Sequence, residues 1–233
     1  MSKNFDNRYF IILNKDKIIF SCLNNENKNL FTQKYDFINF DSNELFKEVE
    51  NFFNDNLVKI EKNLKDFIRK IYIIVDLDNS LSVNLSIKYD LDKAKIKRDK
   101  INELINTLKY QFNKYYNDEK IIHIIVNKLI IDGEKKNLLP VKENFQNLIL
   151  EVKFQCLKER FVNNIKKSLS NYQIAVEKIF LADRLNKTIQ NQEENIFEAA
   201  DKVLSEENSD EVLIVKKKKL NNGFFERFFN FFN

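Results

Sequence analysis

The chain has 233 residues, 43% of them hydrophobic, with 39 lysines and arginines against 35 aspartates and glutamates. This length and hydrophobic content suit one medium domain or two small ones, and a net charge of +4 is too balanced for a dedicated nucleic-acid-binding protein. Only two glycines are present, which excludes the glycine-rich loops that hold phosphates. We therefore expect no nucleotide cofactor and no nucleic-acid partner.

The first third of the chain alternates between short apolar runs and one long amphipathic segment. Apolar runs at residues 9–13 and 17–23 flank a short polar turn, which predicts a hairpin, and residues 31–40 predict a third strand. Apolar residues then recur at helical spacing over residues 45–60. The run IYIIV at 71–75 has the length and β-branching of a buried strand. The predicted order is β-β-β-α-β.

The middle of the chain predicts a second mixed unit. Alternating apolar residues over 81–87 predict a half-buried strand, and a single apolar face over 97–116 predicts a helix. The remaining predicted elements are strands at 121–131 and 148–155, a helix over 158–170 and a last strand at 174–181. The order β-α-β-β-α-β favours an α+β unit with an antiparallel sheet.

The segment from residue 190 to 211 is strongly acidic, and Lys202 is its single lysine. Such a composition predicts a solvated, flexible linker. The sequence IFEAADKVL at 196–204 has a small apolar face, so the linker could hold a short helix there. We expect the compact part of the protein to end near Thr188.

The chain ends in a basic, phenylalanine-rich stretch. On a helix its phenylalanines fall within an arc of about 160°, and each lysine before them contributes about 1 kcal/mol near an anionic membrane. This predicts an amphipathic helix in the lipid interface, with packing on its own domain and binding of nucleic acid as alternatives. The residues predicted to bind the membrane are Lys216, Lys217, Lys218, Lys219, Phe224, Phe225, Arg227, Phe228, Phe229, Phe231 and Phe232.

The sequence contains no plausible catalytic, cofactor-binding or metal-binding set. His123 is the only histidine, and Cys22 and Cys156 lack the spacing of a metal site or a disulfide framework, which predicts free thiols. Asp76 and Asp78 follow a predicted strand, where acids sometimes bind metal, but a solvated turn is the simpler interpretation. We therefore do not expect an enzyme.

The run IIHIIVNKLIIDG from Ile121, followed by Pro140 and by LILEVKFQ at 148–155, resembles the inserted subdomain of the bacterial cell-division protein FtsA. Matching positions are His123, Asp132, Gly133, Pro140, Glu151 and Val152, whereas Val126 replaces the family's first proline. The N-terminal hairpin, helix and IYIIV strand are similar to the first half of the family's actin-like lobe. The C-terminal stretch resembles its membrane-targeting helix.

The resemblance implies an α+β fold made of half an actin-like lobe and an inserted antiparallel α+β subdomain. The implied units are a partial actin-like lobe at 1–80, the inserted subdomain at 81–171, a return into the lobe at 172–189, an acidic flexible linker at 190–215 and a membrane-targeting helix at 216–233. Residues 13–17 replace the family's first phosphate loop, and no segment corresponds to its second lobe. ATP binding is therefore not expected.

The implied function is that of a non-enzymatic, membrane-anchored adaptor of the cell-division machinery. Its partners would be the anionic inner-membrane surface and, through the inserted subdomain, other division proteins or copies of itself. The lobe that carries the family's main contact with FtsZ has no counterpart, which argues against direct FtsZ binding. The implied location is the cytoplasmic face of the inner membrane. The division site is one location on that face where such an adaptor could act. Two alternatives stay open, a PilM-like cytoplasmic platform of a pilus or secretion system and a residual actin-like nucleotide switch.

Overall fold

A computed structural model describes residues 7–38, 44–95, 98–136, 144–189, 195–206 and 212–214. These residues form a mixed α/β protein with two sheets. The elements are β1 (Arg8–Asn14), β2 (Lys17–Leu23), β3 (Asn29–Asp36), α1 (Glu44–Leu64), β4 (Lys70–Asp76), β5 (Leu81–Lys95), α2 (Arg98–Tyr115), β6 (Glu119–Ile131), β7 (Glu134–Lys136), β8 (Asn144–Lys158), α3 (Glu159–Ser170), β9 (Ala175–Leu181), α4 (Ala182–Asn186), α5 (Ile196–Glu206) and β10 (Val212–Ile214). The predicted order is confirmed from the first hairpin to β9, except that the short strand β7 was missed.

The first sheet has the strand order β3-β2-β1-β4-β9. Strands β1, β2 and β3 pair antiparallel, whereas β1, β4 and β9 are parallel. Helices α1 and α3 cover one face of this sheet, and helices α4 and α5 cover the other. Strands β1 and β4 are therefore buried on both faces, which explains why their sequences are nearly continuous apolar runs.

The second sheet has the strand order β10-β6-β8-β5, and β7 pairs with β6. Strands β5, β6 and β8 are antiparallel, as the order of the predicted elements indicated. Helix α2 covers one face and buries Ile101, Leu104, Ile105, Leu108 and Phe112 against the sheet. That this unit is an inserted subdomain of the FtsA type stays a prediction.

The Asp132-Gly133 pair makes the turn between β6 and β7. Both residues have positive φ, 48° and 83°, a conformation that suits a tight hairpin. The Asp132 Oδ1 atom also accepts hydrogen bonds from the backbone N–H groups of Gln146 and Asn147, at 2.9 and 2.7 Å. The prediction that this pair is a structural turn is confirmed.

Helix α3 packs on the first sheet, whereas the sequence pattern predicted it as part of the second unit. Its residues Phe161, Val162 and Ile165 are buried in the core that α1 and the first sheet share. The rings of Phe46 and Phe161 lie 5.5 Å apart. The predicted unit boundary at residue 171 therefore falls beyond the change from one sheet to the other, because an apolar helical face does not reveal which sheet it covers.

The segment predicted as a flexible acidic linker is folded over residues 195–206 and 212–214. Helix α5 buries Phe197, Ala199, Ala200 and Val203 against the first sheet, and Asp201 is buried beside Arg8, with Oδ1 and Nη1 2.7 Å apart. Strand β10 pairs in parallel with residues 124–126 of β6. The linker prediction is wrong for these residues, because α5 turns a small apolar face inward and gives its one buried carboxylate a cationic partner.

No helix of the described residues is both long and apolar enough to cross a membrane. The predicted membrane-binding residues, Lys216 to Lys219 and the six phenylalanines with Arg227 after them, lie outside the described residues. Pro140 also lies outside them. The amphipathic C-terminal helix therefore stays a prediction.

Candidate functional site

A cleft of about 690 Å³ lies between the two sheets. The start of β6 and the end of α2 form one wall, and α3 with β9 forms the other. These elements meet here because β9 is the last strand of the first sheet, while α3 follows directly from β8 of the second. The cleft therefore exists only where the two units of the fold come together.

His123 joins the two sheets along one side of the cleft. Its Nε2 atom accepts a hydrogen bond from the backbone N–H of Leu181 at 3.0 Å, and its ring stacks on Phe180 with centroids 6.0 Å apart. Burial, with smaller contributions from the charges of Arg184 and Lys178, lowers the pKa of His123 to about 3. The ring is therefore neutral at pH 7, with its proton on Nδ1.

His123 lies in strand β6, as the sequence predicted. Its role as a bridge between two sheets was missed. The only available signal was its position as the one polar residue within the apolar run IIHIIV.

His123 is expected to make the fold less stable as the pH falls. The unfolded side chain titrates near pH 6.5 and the folded one near pH 3, so the unfolded state binds more protons below pH 6.5. We expect a loss of about 2 kcal/mol between pH 7 and pH 5 from this group. The His123→Gln variant cannot titrate at this position but can still accept the hydrogen bond. Comparing urea unfolding of the wild type and this variant at several pH values therefore isolates the contribution of His123 to the pH dependence of stability. An equal pH dependence in the two proteins would contradict the assignment.

Lysines dominate the charge of the cleft. Each of the four elements that form its walls contributes one, and the set is Lys109, Lys120, Lys166 and Lys178. Lys178 also lies over the ring of Phe180, 5.4 Å from its centroid. The lining therefore holds four lysines, from four separate elements, against three carboxylates, which is a net positive charge.

The carboxylates of the cleft do not cancel this charge. Glu119 lies 2.8 Å from the ammonium group of Lys158, and Glu177 lies 2.9 Å from that of Lys70. Neither Lys158 nor Lys70 lines the cleft. Lys70 pairs with Glu177 from outside the cleft, whereas Lys158 is shared between Glu119 and Asp118, which lies 2.7 Å from it. Glu159 is the third carboxylate in the lining, against four lysines. The cleft therefore suits an anionic ligand.

Two strand edges also border the cleft. In the part of the chain that the structure describes, β9 pairs only with β4, and residues 176–179 of β9 line the cleft. On β6, strand β10 covers residues 124–126 and β7 covers 129–131, so residues 119–123 have a strand neighbour only in β8. Exposed strand edges are templates for an added strand. The geometry thus suits an extended segment with acidic side chains.

The carboxyl ends of the parallel strands β1, β4 and β9 meet at a second, smaller space of about 280 Å³. Ligands of open α/β sheets commonly bind at such an edge. Here Asp76 accepts a hydrogen bond from the Asn14 amide at 3.0 Å, and Asp78 forms an ion pair with Lys15. Asp183 also lines this space. Within the described residues no group of three or more His, Cys, Asp or Glu side chains is arranged to hold a metal ion.

Both cysteines are buried free thiols, as the sequence predicted. Burial raises the pKa of Cys22 and of Cys156 to about 12. Neither thiol is therefore ionised near pH 7, and neither suits a nucleophilic role.

Sequence reasoning did not find the cleft. Each of the four lysines lies in a different element of the fold, and lysine is common throughout the sequence. No local pattern distinguishes these four from the others. Only the packing of the two sheets brings them together.

Comparison with known proteins gives a fold likeness and no family. The sequence matches no protein-family model and no curated protein. Similar solved structures include the cytoplasmic domain of EpsL, an inner-membrane component of the type II secretion system of Vibrio cholerae (TM-score 0.39, 9% identity). Others are a Bacteroides thetaiotaomicron protein described as having an actin-like ATPase fold (TM-score 0.32, 13% identity) and the PilM-PilN type IV pilus biogenesis complex (TM-score 0.43, 7% identity).

The alignments cover 80%, 80% and 78% of this chain but only 60%, 57% and 52% of those chains. The chain therefore spans little more than half the length of the structures it matches. All three TM-scores lie below 0.5, so what those proteins do is no argument for what this chain does. The likeness is to parts of an actin-like fold, and nothing in it points to FtsA specifically.

Proposed function

We propose that this chain is a non-enzymatic adaptor that binds an anionic membrane through its C-terminal residues and holds an extended acidic segment of a partner protein in the cleft. The observation that carries the proposal is the cleft, where four lysines from four elements surround two open strand edges. Backbone pairing along an edge supplies affinity, and the lysines select acidic side chains. The location that follows is the cytoplasmic face of the inner membrane.

The chemistry at the carboxyl ends of the parallel strands favours an adaptor over a nucleotide switch. Asp76, Asp78 and Asp183 would face the negative charge of a triphosphate there. Gly133 lies in the β6–β7 turn and Gly223 lies near the end of the chain. Gly133, the one glycine among the described residues, is therefore not placed to let backbone N–H groups at this edge approach a phosphate.

Two membrane machines are candidates for the adaptor. The FtsA-like pattern over residues 121–152 and the basic, phenylalanine-rich C-terminus suggest the cell-division machinery. The alternative is a PilM-like platform of a pilus or secretion system, the kind of system to which two of the three similar structures belong. Nothing beyond the sequence resemblance favours division. The cleft suits either machine, because both require a partner segment to be held at the membrane.

Charge reversal in the cleft tests the proposal. The variant carries Lys120→Glu and Lys166→Glu, and both side chains are exposed, so the fold should tolerate the changes. The probe is a fluorescein-labelled decapeptide of alternating valine and glutamate, measured by fluorescence anisotropy. We expect the wild type to bind it and the variant to bind at least about tenfold more weakly, which corresponds to about 1.4 kcal/mol.

A matched control carries Lys47→Glu and Lys59→Glu, which change the charge equally on the exposed side of α1, away from the cleft. We expect this control to bind the peptide like the wild type. A peptide of alternating valine and lysine should not bind. Equal affinity of the cleft variant and the control variant would overturn the proposal.

A further inference from the structure

Strand β5 forms the outer edge of the second sheet. It spans Leu81–Lys95, and in the described part of the chain β8 is the one strand that pairs with it. Its other side therefore presents a row of backbone N–H and C=O groups to the surroundings. At about 3.3 Å per residue, residues 81–90 make an edge about 30 Å long.

Residues 81–87 of this edge lack the features that usually prevent strands of different molecules from pairing. Protein edges are commonly protected by lysines, prolines or bulges. Residues 81–87 contain none of these, and the register irregularity against β8 lies beyond Asp90. The first charges are Lys88 and Asp90, which lie 3.4 Å apart as an ion pair of opposite sign.

The side chains of the edge form two rows. The apolar row is partly buried and packs against the core beneath α2, and it consists of Leu81, Val83, Leu85, Ile87 and Tyr89. The polar row is exposed on the other face, and it consists of Ser82, Asn84, Ser86, Lys88 and Asp90. A strand that pairs with this edge must match both rows.

A second copy of β5 matches both rows in one antiparallel register. When Leu85 faces Leu85 of the second copy, Val83 faces Ile87 and Leu81 faces Tyr89, so the apolar row continues across the interface. In the polar row, Asn84 faces Ser86. Ser82 then faces Lys88, so no two like charges meet.

We propose that β5 is a homodimer interface, in which two copies pair antiparallel about a two-fold axis at Leu85. The pairing is isologous, as in most two-fold dimers, and it extends the second sheet from one copy into the other. A second copy fits better than an unrelated strand because both rows are complementary to themselves without a charge conflict. Two C-terminal stretches on one particle would raise membrane avidity by about 10² to 10⁴.

Sedimentation velocity of the full chain and of two charge variants tests both the interface and its register. The first variant carries Asn84→Lys and Ser86→Lys, which sets lysine against lysine across the axis. The second carries Asn84→Glu and Ser86→Lys, which sets each new lysine against a new glutamate across the axis and against Glu151 of β8 within its own copy. Both positions are exposed. In the first variant the new lysine at position 84 lies opposite Lys153 of β8, so circular dichroism is used to check that a single copy of each variant is folded like the wild type.

We expect a dimer for the wild type, a monomer for the first variant and a dimer for the second at the same concentration. A monomeric wild type would overturn the proposal, and so would a dimer that persists in the first variant. Loss of the dimer in both variants would rule out this register. Binding of the acidic peptide, measured on the same samples, depends on the cleft alone, so failure of the dimer and failure of the adaptor proposal are distinguishable.

Discussion

Breaking the ion pair between Arg8 and Asp201 is expected to lower the free energy of unfolding by about 3 kcal/mol. Asp201 is 1% exposed, and its carboxylate lies 2.7 Å from the Arg8 guanidinium. Burial raises the pKa of Asp201, and the Arg8 charge opposes that rise. In Arg8→Met the carboxylate is left buried without its cation, so α5 should detach from the first sheet. Urea unfolding measures the loss.

A double variant distinguishes the effect of an unpaired buried charge on the free energy of unfolding from the effect of lost side-chain packing. Arg8→Met together with Asp201→Leu removes both charges and should recover most of the lost stability, because two apolar groups can replace a buried pair. Lys88→Met is the surface control, since it breaks the exposed pair with Asp90 and should leave the unfolding curve unchanged. Wild-type stability of Arg8→Met would show that α5 does not depend on this contact.

Phe228→Glu together with Phe232→Glu is expected to release the protein from anionic vesicles. On the predicted helix both residues fall near the centre of the apolar arc, where burial in lipid would stabilise each ring by about 2 kcal/mol. A carboxylate at the same position meets both the acyl chains and the negative surface. Vesicle co-sedimentation should move from the pellet to the supernatant.

Two further variants distinguish apolar insertion from charge. Asn230→Glu with Asn233→Glu adds the same negative charge outside the arc, and we expect most of this protein to stay in the pellet. Serine at positions 216–219 should weaken binding chiefly on anionic vesicles, where the four lysines contribute about 4 kcal/mol. Unchanged sedimentation of the double phenylalanine variant would contradict the membrane assignment.

The elements from β1 to β9, apart from β7, show where sequence patterns suffice. The runs in β1 and β4 are apolar and β-branched because both faces of these strands are covered, and β5 alternates because one face is exposed. The turn at Asp132-Gly133 requires positive φ, which its residue types allow. Each of these is a local property, so the sequence predicts it.

Packing between distant segments was not predictable in the same way. The apolar face of α5 is short and is flanked by carboxylates. Its packing on the first sheet depends on Arg8, which pairs with Asp201 and comes from the other end of the chain. Helix α3 follows β8 without a break but covers the first sheet. Of the proposed functional parts, the C-terminal stretch is local in sequence and was predicted. The cleft depends on four separate elements and was not.

A recruitment experiment tests the adaptor most directly, because it requires the cleft and the C-terminal stretch to act in one molecule. The labelled valine-glutamate decapeptide is mixed with anionic vesicles and the full chain, and peptide in the vesicle pellet is measured. We predict that the wild type sediments with the vesicles and brings the peptide into the pellet. With the Phe228→Glu, Phe232→Glu variant, both the protein and the peptide should stay in the supernatant. The Lys120→Glu, Lys166→Glu variant should sediment while the peptide stays in solution. A peptide that stays in solution with the vesicle-bound wild type would contradict the account.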